Sequence, residues 1–522
     1  MKSPHSFSQV PQARLPRSTF NLSFGVKTAF DADYLVPLGR PIDVIPGDTF
    51  NTKMDFFMRL ATPLHPILDN LYFESFFFFV PYRILWDNWE KMHGAQDDPA
   101  DSIDFTVPVL SDNVWNVGEL GDYFGIPTGV ITSGVSALPL RAYNKIYNDW
   151  FRDENLQDSV NSDTDNGPDG GPGTFPLKKR GKRHDYFTSC LPWPQKGSAI
   201  SLPLGTVAPV AVTDNLATGS DLRVLDLGRT DDQTRNLIAN SGANLEIGAL
   251  TGSSSQTDVL VADLSNASAA TVNDLRLAFQ TQRLLERDAR GGTRYVEMLK
   301  AHYGVTSPDF RLQRPEFLGG GSSRVNVTPV AQTSGQPTPT ADDKLGELAA
   351  FGTTSGQHGY TQSFVEHGCI IHLGNLRGDI TYSQGLDRYW SKSTRFDFYY
   401  PALAQIGEQS VLNKEIYVAA TATDEEVFGY QERYGEYRYL GSQLTNIMRP
   451  STAGTLASWH LSEQFLTTPT LGDTFIQANT SDPLDRAIQV PTEPHMIADI
   501  FYTIKAARPM PLFGVPGNLD RL

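Results

Sequence analysis

The sequence predicts an all-β protein with helical insertions, in which one antiparallel barrel or sandwich carries loops that have grown into subdomains. Apolar and polar residues alternate over several segments, which is typical of half-buried strands. The 44 glycines and 34 prolines among 522 residues are too many for a helical bundle and normal for strands with long loops. The strand candidates lie roughly 50 to 150 residues apart, whereas a meander would turn every 8–12 residues or so.

The first strand candidates show regular alternation. Apolar side chains occupy even positions from 20 to 36 and again from 50 to 60, after the turn Pro46-Gly47-Asp48. Residues 71–80 are apolar on both faces, so a second sheet, a helix or another subunit should cover each side of this strand. Later strand candidates are 363–373, 378–384, 395–400, 428–440 and 494–507.

Helices are fewer and follow a separate pattern. Apolar side chains from Tyr143 to Phe151 recur at the spacing of one helical face. The other predicted helices are residues 272–289, ending at Gly291-Gly292, then Tyr295 to His302, and a short one at Trp86 and Trp89 that ends at Gly94.

One long segment differs from the rest of the chain. No Phe, Trp or Tyr occurs between Trp193 and Phe279, and residues 205–270 contain no Lys and are net acidic. This segment therefore does not share the aromatic core, and we interpret 205–270 as a surface insertion. The predicted β core with its loop subdomains takes in residues 19–204 and 271–522, and the resemblance described below implies that this core is a jelly roll.

Charge and composition restrict the partners and the compartment. The net charge is −16, so contact with nucleic acid requires local basic clusters. Two cysteines, Cys190 and Cys369, make no disulfide framework and favour a reducing compartment. The sequence shows no apolar run long enough to span a bilayer and no secretory signal, so we expect no membrane insertion.

Motifs for catalysis or metal binding are absent from the sequence. There is no phosphate-binding loop, no H-E-x-x-H and no nucleophile elbow, and the glycine-rich residues 319–323 predict a turn. His367, Cys369 and His372 resemble a metal cluster, but on a strand the third side chain points away from the other two. We therefore expect no enzyme, no metal and no cofactor.

Two basic segments stand out on this acidic chain. Residues 1–18 predict an extended basic arm, which is either a frayed terminus or an arm on a neighbouring subunit or on nucleic acid. The second segment is followed by Tyr186 and Phe187, and aromatic rings beside cations suit single-stranded nucleic acid. The alternative is a basic loop that pairs with acids of a neighbouring subunit. The candidate DNA-binding residues of the second segment are Lys178, Lys179, Arg180, Lys182 and Arg183.

Several sequence blocks resemble the major capsid proteins of the Microviridae, small single-stranded DNA bacteriophages, and the gokushovirus branch in particular. The blocks run from about residue 17 to the C-terminus. They include residues 47–50, 59–63, 69–72, 76–81, 86–89, 150–153, 183–187, 190–197, 286–295, 407–409, 429–434 and 507–511.

The resemblance implies an eight-stranded antiparallel jelly-roll β-barrel of viral capsid type with long inter-strand loops. Sixty copies would build a T=1 icosahedral shell around circular single-stranded DNA. The resemblance also implies an internal scaffolding protein, a DNA pilot protein, assembly in the bacterial cytoplasm and localisation in the virion. It places 205–270 where the family carries a threefold protrusion that contacts a host cell-surface receptor.

Two other functions remain open on the residues alone. One is a jelly-roll carbohydrate-active protein, which would need a cleft with two carboxylates and exposed aromatics. The other is a phage spike or adhesin, although no internal repeat is visible. If the chain is a shell protein, we expect apolar side chains of the strand 71–80 and the following segment to lie at the subunit interface. The candidate interface residues are Phe76, Phe78, Trp86 and Trp89.

Overall fold

The computed structural model describes residues 16–198, 200, 272–333, 346 and 348–513, and the backbones of five short strands between residues 210 and 262. The chain divides into two compact units, one formed by Met1–Pro194 and Ala289–Leu522 and the other by Gln195–Asp288. The segment 205–270 falls within the smaller unit, and its side chains lie outside the described residues, as do residues 1–15 of the basic arm.

Strands outnumber helices in the described part of the chain. The strands are β1 (Ser18–Asn21), β2 (Phe24–Phe30), β3 (Val36–Pro37), β4 (Ile42–Val44), β5 (Thr49–Leu60), β6 (Leu71–Pro81), β7 (Asn113–Val114), β8 (Ile131–Thr132), β9 (Val210–Val212), β10 (Arg223–Leu225), β11 (Thr234–Ala239), β12 (Leu245–Ile247), β13 (Leu260–Ala262), β14 (Glu316–Arg324), β15 (Asn326–Ala331), β16 (Leu348–Ser363), β17 (Gly368–Gly378), β18 (Glu408–Leu412), β19 (Val427–Glu432) and β20 (Met496–Arg508). The α-helices are α1 (Trp89–Met92), α2 (Leu120–Tyr123), α3 (Leu138–Ile146), α4 (Val272–Gly291), α5 (Tyr295–Tyr303), α6 (Asn413–Ile416), α7 (Asp473–Ile476) and α8 (Ser481–Ala487).

Sheet 1 of the larger unit has the strand order β1–β20–β5–β16–β15, and β2 also pairs with β20. All of these pairs are antiparallel. Along β5 and β20 the even-numbered residues are buried and the odd-numbered residues are largely exposed, which confirms the predicted alternation. We call the outward side of sheet 1, formed by these odd-numbered residues and their neighbours on β2 and β16, the open face.

Sheet 2 of the larger unit has the order β14–β6–β17–β3, and β4 also pairs with β17. The two sheets pack face to face on one hydrophobic core. For example, the ring centroids of Phe56 on β5 and Phe73 on β6 are 4.9 Å apart, and those of Tyr502 on β20 and His372 on β17 are 4.8 Å apart. The observed fold is therefore mainly antiparallel β-sheet with few helices.

The strand β6 is covered on both faces, as its sequence predicts. One face packs on sheet 1, and the other packs on a second core built from β17, the segment after β6 and α3. A π-helical turn, Tyr147–Phe151, continues α3 and places Trp150 5.4 Å from Phe78, measured between ring centroids. The cover on the second face is thus a helix of the same chain.

Three of the four helix predictions are confirmed, and of the short helix predicted at Trp86 and Trp89 only Trp89 lies on a helix, α1. The apolar face from Tyr143 to Phe151 lies on α3 and its π-helical turn, and α4 ends at Gly291. The next residue, Gly292, adopts a φ of 91°, a conformation that favours glycine and breaks the helix. The helix α5 likewise ends at a left-handed residue, Gly304.

Four strand predictions are wrong or misplaced. Residues 395–400 form no strand, because the alternating rings of Phe396, Phe398 and Tyr400 are exposed and do not form one buried face. Arg395–Asp397 is a 3₁₀ turn, and residues 398–400 are irregular. Residues 380–384 lie outside the strands, and of 428–440 only the part up to Glu432 is strand β19. The strand predicted at 363–373 is divided between the end of β16 and the start of β17.

The glycine-rich residues 319–323 form part of β14 and not the predicted turn. The strand pairs with β6, with an irregularity between Phe317 and Gly319. A Cβ atom at Gly320 would lie 2.1 Å from the Ser75 carbonyl oxygen, so only glycine allows this close approach of the two backbones.

The buried His372 makes the fold sensitive to acid. Its ring lies among Phe77, Tyr360 and Tyr502, and burial lowers its pKa from 6.5 to about 3. The unfolded chain binds this proton below pH 6.5 and the folded chain does not, so the free energy of unfolding falls as the pH drops from 6.5 towards 3. We expect a loss of up to about 1.4 kcal/mol per pH unit from this residue, measured by urea denaturation at several pH values.

The variant His372→Gln keeps a polar atom for the Tyr360 hydroxyl and removes the titration, so its stability should depend less on pH in this window. The pKa values of His358, His367 and His460 are also lowered by burial, so part of the slope should remain. Replacing the exposed His184 by Gln is the control. An unchanged slope in His372→Gln would contradict this account.

Candidate nucleic-acid and assembly surfaces

The predicted DNA-binding residues lie on one extended segment, residues 178–183, which we call the basic strap. Its backbone pairs on one side with residues 33–35 and on the other with residues 476–478. The Arg180 N–H donates to the Asp33 carbonyl at 2.8 Å, and the Lys182 N–H donates to the Ile476 carbonyl at 2.8 Å. The strap is therefore an integrated part of the fold, and its side chains are positioned by backbone bonds on both sides.

The carboxylate of Glu74 on β6 lies at the centre of the strap's positive charge. It forms ion pairs with Arg180, with Arg183 at 3.2 Å and with Arg377 at 3.1 Å. Burial opposes ionisation of Glu74, but these three guanidinium groups together lower its pKa below the usual value. Burial, and then the charge of Arg180, lowers the pKa of Arg377 to about 10, so Arg377 stays charged at neutral pH.

A second internal ion pair fixes the middle of the strap. The ammonium group of Lys182 lies 2.6 Å from the Glu463 carboxylate, with 3% and 7% of the two side chains exposed. The same ammonium group lies 4.3 Å from the centroid of the Phe475 ring, at a distance suited to a cation–π contact. Lys182 is thus buried and paired within its own subunit.

The five predicted DNA-binding residues therefore divide into two groups. Arg180, Lys182 and Arg183 form ion pairs with acids of the same chain. Lys178 and Lys179 are half-buried and form no ion pair among the described residues, and their ammonium groups lie 5.6 and 5.3 Å from the rings of Tyr147 and Tyr34.

The strap also forms one wall of an open cavity of about 1090 Å³. Aromatic side chains of β6, β14 and the π-helical turn line the cavity, together with six arginines. Each of these arginines pairs with an acid: Arg152 with Glu154, Arg180, Arg183 and Arg377 with Glu74, Arg290 with Glu408 and Glu432, and Arg294 with Glu154 and Glu297. The positive charge of this cavity is largely neutralised within the subunit.

The four predicted interface residues differ in how much of each side chain is exposed. Phe78 and Trp86 are 1% and 0% exposed in the single chain, so they have no exposed area to lose on assembly, and the prediction is wrong for these two. They belong to the second hydrophobic core, because α3 and its π-helical turn cover this face of β6. Phe76 and Trp89 are half-buried and stay interface candidates.

A larger exposed apolar surface lies elsewhere, and the sequence analysis missed it. Tyr389 and Trp390 are 66% and 71% exposed, and the Tyr399 and Tyr437 ring centroids lie 6.2 Å apart. The signal for it is the density of aromatic residues between 389 and 400, a region that overlaps the strand predicted at 395–400. We call this surface the aromatic patch; its exposed members are Tyr389, Trp390, Phe396, Phe398, Tyr399, Tyr400, Tyr437 and Tyr439.

The residues considered for metal binding do not form a site. No group of three or more His, Cys, Asp or Glu side chains that could hold a metal ion occurs among the described residues. His372 packs in the core against Tyr502, while His367 contacts Trp89 and His93. Burial raises the pKa of both thiols, Cys190 and Cys369, which are free and buried.

Within the described residues, no helix is long and apolar enough to cross a membrane.

Comparison with known proteins identifies the family. The family model described as "Capsid protein (F protein)", a phage family, matches residues 8–518. This chain belongs to that capsid-protein family. Capsid protein VP1 of Bdellovibrio phage phiMH2K is 45% identical over 99% of this chain and 98% of the relative. Capsid protein VP1 of Chlamydia phage 1 is 39% identical over 98% and 97%, and that of Spiroplasma virus 4 is 35% identical over 98% and 97%.

Membership in the family settles the general role. The chain is a structural phage capsid protein and not an enzyme, and it is a component of the virion. The resemblance to the gokushovirus branch of the Microviridae is confirmed by the relatives. The capsid protein assembles with other copies of itself, so part of the exposed surface of a single chain becomes buried between subunits.

The capsid chain offers a direct test of the strap's internal pairing. Glu463→Gln leaves the buried ammonium group of Lys182 without its partner, so we expect the free energy of unfolding to fall by about 3 kcal/mol in a urea titration of the unassembled chain. The matched control is Glu425→Gln, because Glu425 forms a Lys–Glu pair of similar length, 2.7 Å, with 68% of its side chain exposed. The control should lose less than about 1 kcal/mol. Equal losses in the two variants would show that burial of the strap pair has no energetic consequence.

Proposed function

We propose that sixty copies of this chain form a T=1 icosahedral shell that encloses a circular single-stranded DNA genome. The observation that carries the proposal is the full-length match to the capsid family, over residues 8–518. Co-expression with an internal scaffolding protein, followed by electron microscopy and nuclease protection, tests it. We expect closed particles that protect single-stranded DNA; particles of another size or symmetry would contradict the T=1 shell.

The building block of this shell is, in our proposal, an eight-stranded jelly roll. The strand orders support it. Sheet 1 contains β2, β20, β5 and β16 in that order, and sheet 2 contains β4, β17, β6 and β14. The hydrogen-bonded pairs are β2–β20 and β5–β16 in sheet 1, and β4–β17 and β6–β14 in sheet 2. Taken from the ends of the chain inward, these pairs alternate between the two facing sheets, which is the arrangement of a double-sheet jelly roll.

The proposed partners are those that the resemblance to the capsid family implies. An internal scaffolding protein and a DNA pilot protein join the chain during assembly in the host cytoplasm. Among the predicted DNA-binding residues, Lys178 and Lys179 are the ones free of an acid partner in the described structure, so the proposed genome contact of the strap rests on these two.

The aromatic patch is our proposed subunit interface. Interface cores are enriched in Tyr, Trp and Phe, and these residue types make up the patch. A monomeric protein rarely exposes so many neighbouring rings, whereas a shell subunit covers them with a second copy of itself. Trp390 is the most exposed ring of the patch, at 71%.

Trp390→Ala should therefore reduce particle yield without lowering the melting temperature of the unassembled chain. The loss of a central aromatic anchor costs about 2 kcal/mol or more at an interface. Trp89→Ala is the comparison, because Trp89 is half-buried and packs on the rings of Tyr82 and His93. Sedimentation measures the particles, and thermal denaturation measures the chain.

The two tryptophan variants separate assembly from folding. Loss of particles together with a lowered melting temperature identifies Trp89 as a folding residue. Normal particle yield in Trp390→Ala would remove the aromatic patch from the interface.

The insertion 205–270 is the proposed host-contact surface, at a threefold protrusion of the shell. Support comes from its lack of aromatics and Lys and from its position within the compact unit Gln195–Asp288. Polar, variable loops commonly carry binding functions on viral and other scaffolds.

Replacing residues 209–268 with a short Gly-Ser linker should leave the larger unit folded and reduce adsorption to host cells. Loop-closure entropy depends only on the logarithm of loop length, so we expect stability to shift by about 1 kcal/mol. Sedimentation comes first, because loss of the insertion could also weaken contacts between subunits. Intact particles that adsorb as well as wild type would exclude the receptor role.

A further inference from the structure

The open face of sheet 1 is an uncovered surface of the larger unit with an unusual composition. Phe57 on β5 and Phe501 on β20 are 55% and 52% exposed, although phenylalanine is normally buried. Phe57 lies directly opposite Asp499 and Phe501 lies opposite Asp55, so the two rings are diagonal neighbours on adjacent strands. Diagonal neighbours of this kind are about 7–8 Å apart.

The same face carries positive charge that is not neutralised. Lys53, Arg59 and Lys505 are exposed and form no ion pair within the described residues. The two acids of the face are already engaged: Asp499 pairs with Lys27 at 3.0 Å, and Asp55 accepts a hydrogen bond from the Gln357 amide at 2.7 Å. Four cations against two acids leave the face net positive on a chain of net charge −16.

We infer that the open face of sheet 1 is a binding platform for single-stranded DNA, in addition to any contact made by the strap. The inference rests on the proposed encapsidation of single-stranded DNA and names the surface that performs it. Exposed aromatic rings on a sheet stack unpaired bases, and flanking Lys and Arg side chains neutralise phosphates. Lys53 lies four residues, or about 13 Å, from Phe57 along β5, so cations and rings can contact successive parts of one strand of DNA.

Charge complementarity favours DNA over a second protein on this face. Lysine is depleted in the cores of protein–protein interfaces, because its ammonium group is costly to desolvate. The aromatic patch offers a more typical protein-binding surface, while the open face combines spaced phenyl rings with unpaired cations. In the strap, by contrast, three of the five cations form ion pairs with Glu74 or Glu463.

Oligothymidylate binding by the purified full-length chain tests the inference, with fluorescence anisotropy measured over a range of salt concentrations. In Lys53→Gln/Lys505→Gln, two phosphate contacts are lost, so the slope of log K against log salt should become less steep by about 1.4. In Phe57→Leu/Phe501→Leu the apolar area is largely retained but stacking is lost. This variant should bind about tenfold or more weakly with an unchanged slope.

The charge control is Lys91→Gln/Lys414→Gln, which removes the same net charge from lysines that pair with Asp97 and Glu425. It should bind DNA with the wild-type slope. Wild-type binding by both open-face variants would overturn the inference. Normal DNA binding by these variants combined with loss of particles would also overturn it, because the open face would then be a contact between subunits.

Photo-cross-linking of DNA packaged in whole particles gives a second readout. We expect cross-linked peptides from β5 and β20; cross-links confined to residues 178–183 would contradict the platform while leaving encapsidation intact. Wild-type particles without nuclease-protected DNA would instead contradict the proposed encapsidation, and the binding measured on the free chain would still decide the role of the open face.

Discussion

The larger unit depends on the burial of one strand, β6, on both of its faces. Phe73 and Phe77 face the core between the two sheets, while Phe78 faces the second core beneath α3. Since β6 forms a wall of both cores, displacing this strand would expose apolar residues of both. Glu74 is the one acid of this strand, and it is tolerated because three arginines surround its carboxylate. The same strand therefore positions the basic strap.

The parts of the fold that can be predicted from the sequence are those in which neighbouring residues of one element show a regular pattern of apolar and polar side chains. Strands β5 and β20 are buried on one face only, so their alternation is visible in the residues themselves. Strand β17 is buried throughout and includes His372, Asn375 and Arg377. These polar side chains hide the pattern, because their partners are distant in sequence: Tyr360 for the histidine, the Tyr34 carbonyl for the amide and Glu74 for the arginine.

The candidate surfaces were predicted less well, for the same reason. Five cations in residues 178–183 are plain in the sequence, but the positions of Glu74 and Glu463 beneath them are set by the tertiary fold. The rings of Trp86 and Phe78 were correctly recognised as apolar anchors, yet apolarity does not distinguish a subunit core from a subunit interface. The exposed fraction in the folded chain makes that distinction, and by this measure Trp390 and its neighbours are better interface candidates.

The two uncovered surfaces should respond to salt in opposite directions. Contacts made by the aromatic patch bury apolar area, and added salt does not weaken this term, while salts such as sulfate strengthen it. Contacts of Lys53 and Lys505 with phosphates release counterions, so raising the salt concentration weakens them steeply. Because the internal pair of Lys182 with Glu463 is buried, salt screens it little, and the subunit itself should stay folded. A rise in salt is therefore expected to release the genome from the proposed platform before it separates the subunits. Particles transferred from low to high salt, with sedimentation and nuclease sensitivity of the DNA measured together, should keep their shells while the bound DNA becomes more mobile. Shells that dissociate at the salt concentration at which the DNA is released would show that charge pairs, and not aromatic contacts, hold the subunits together.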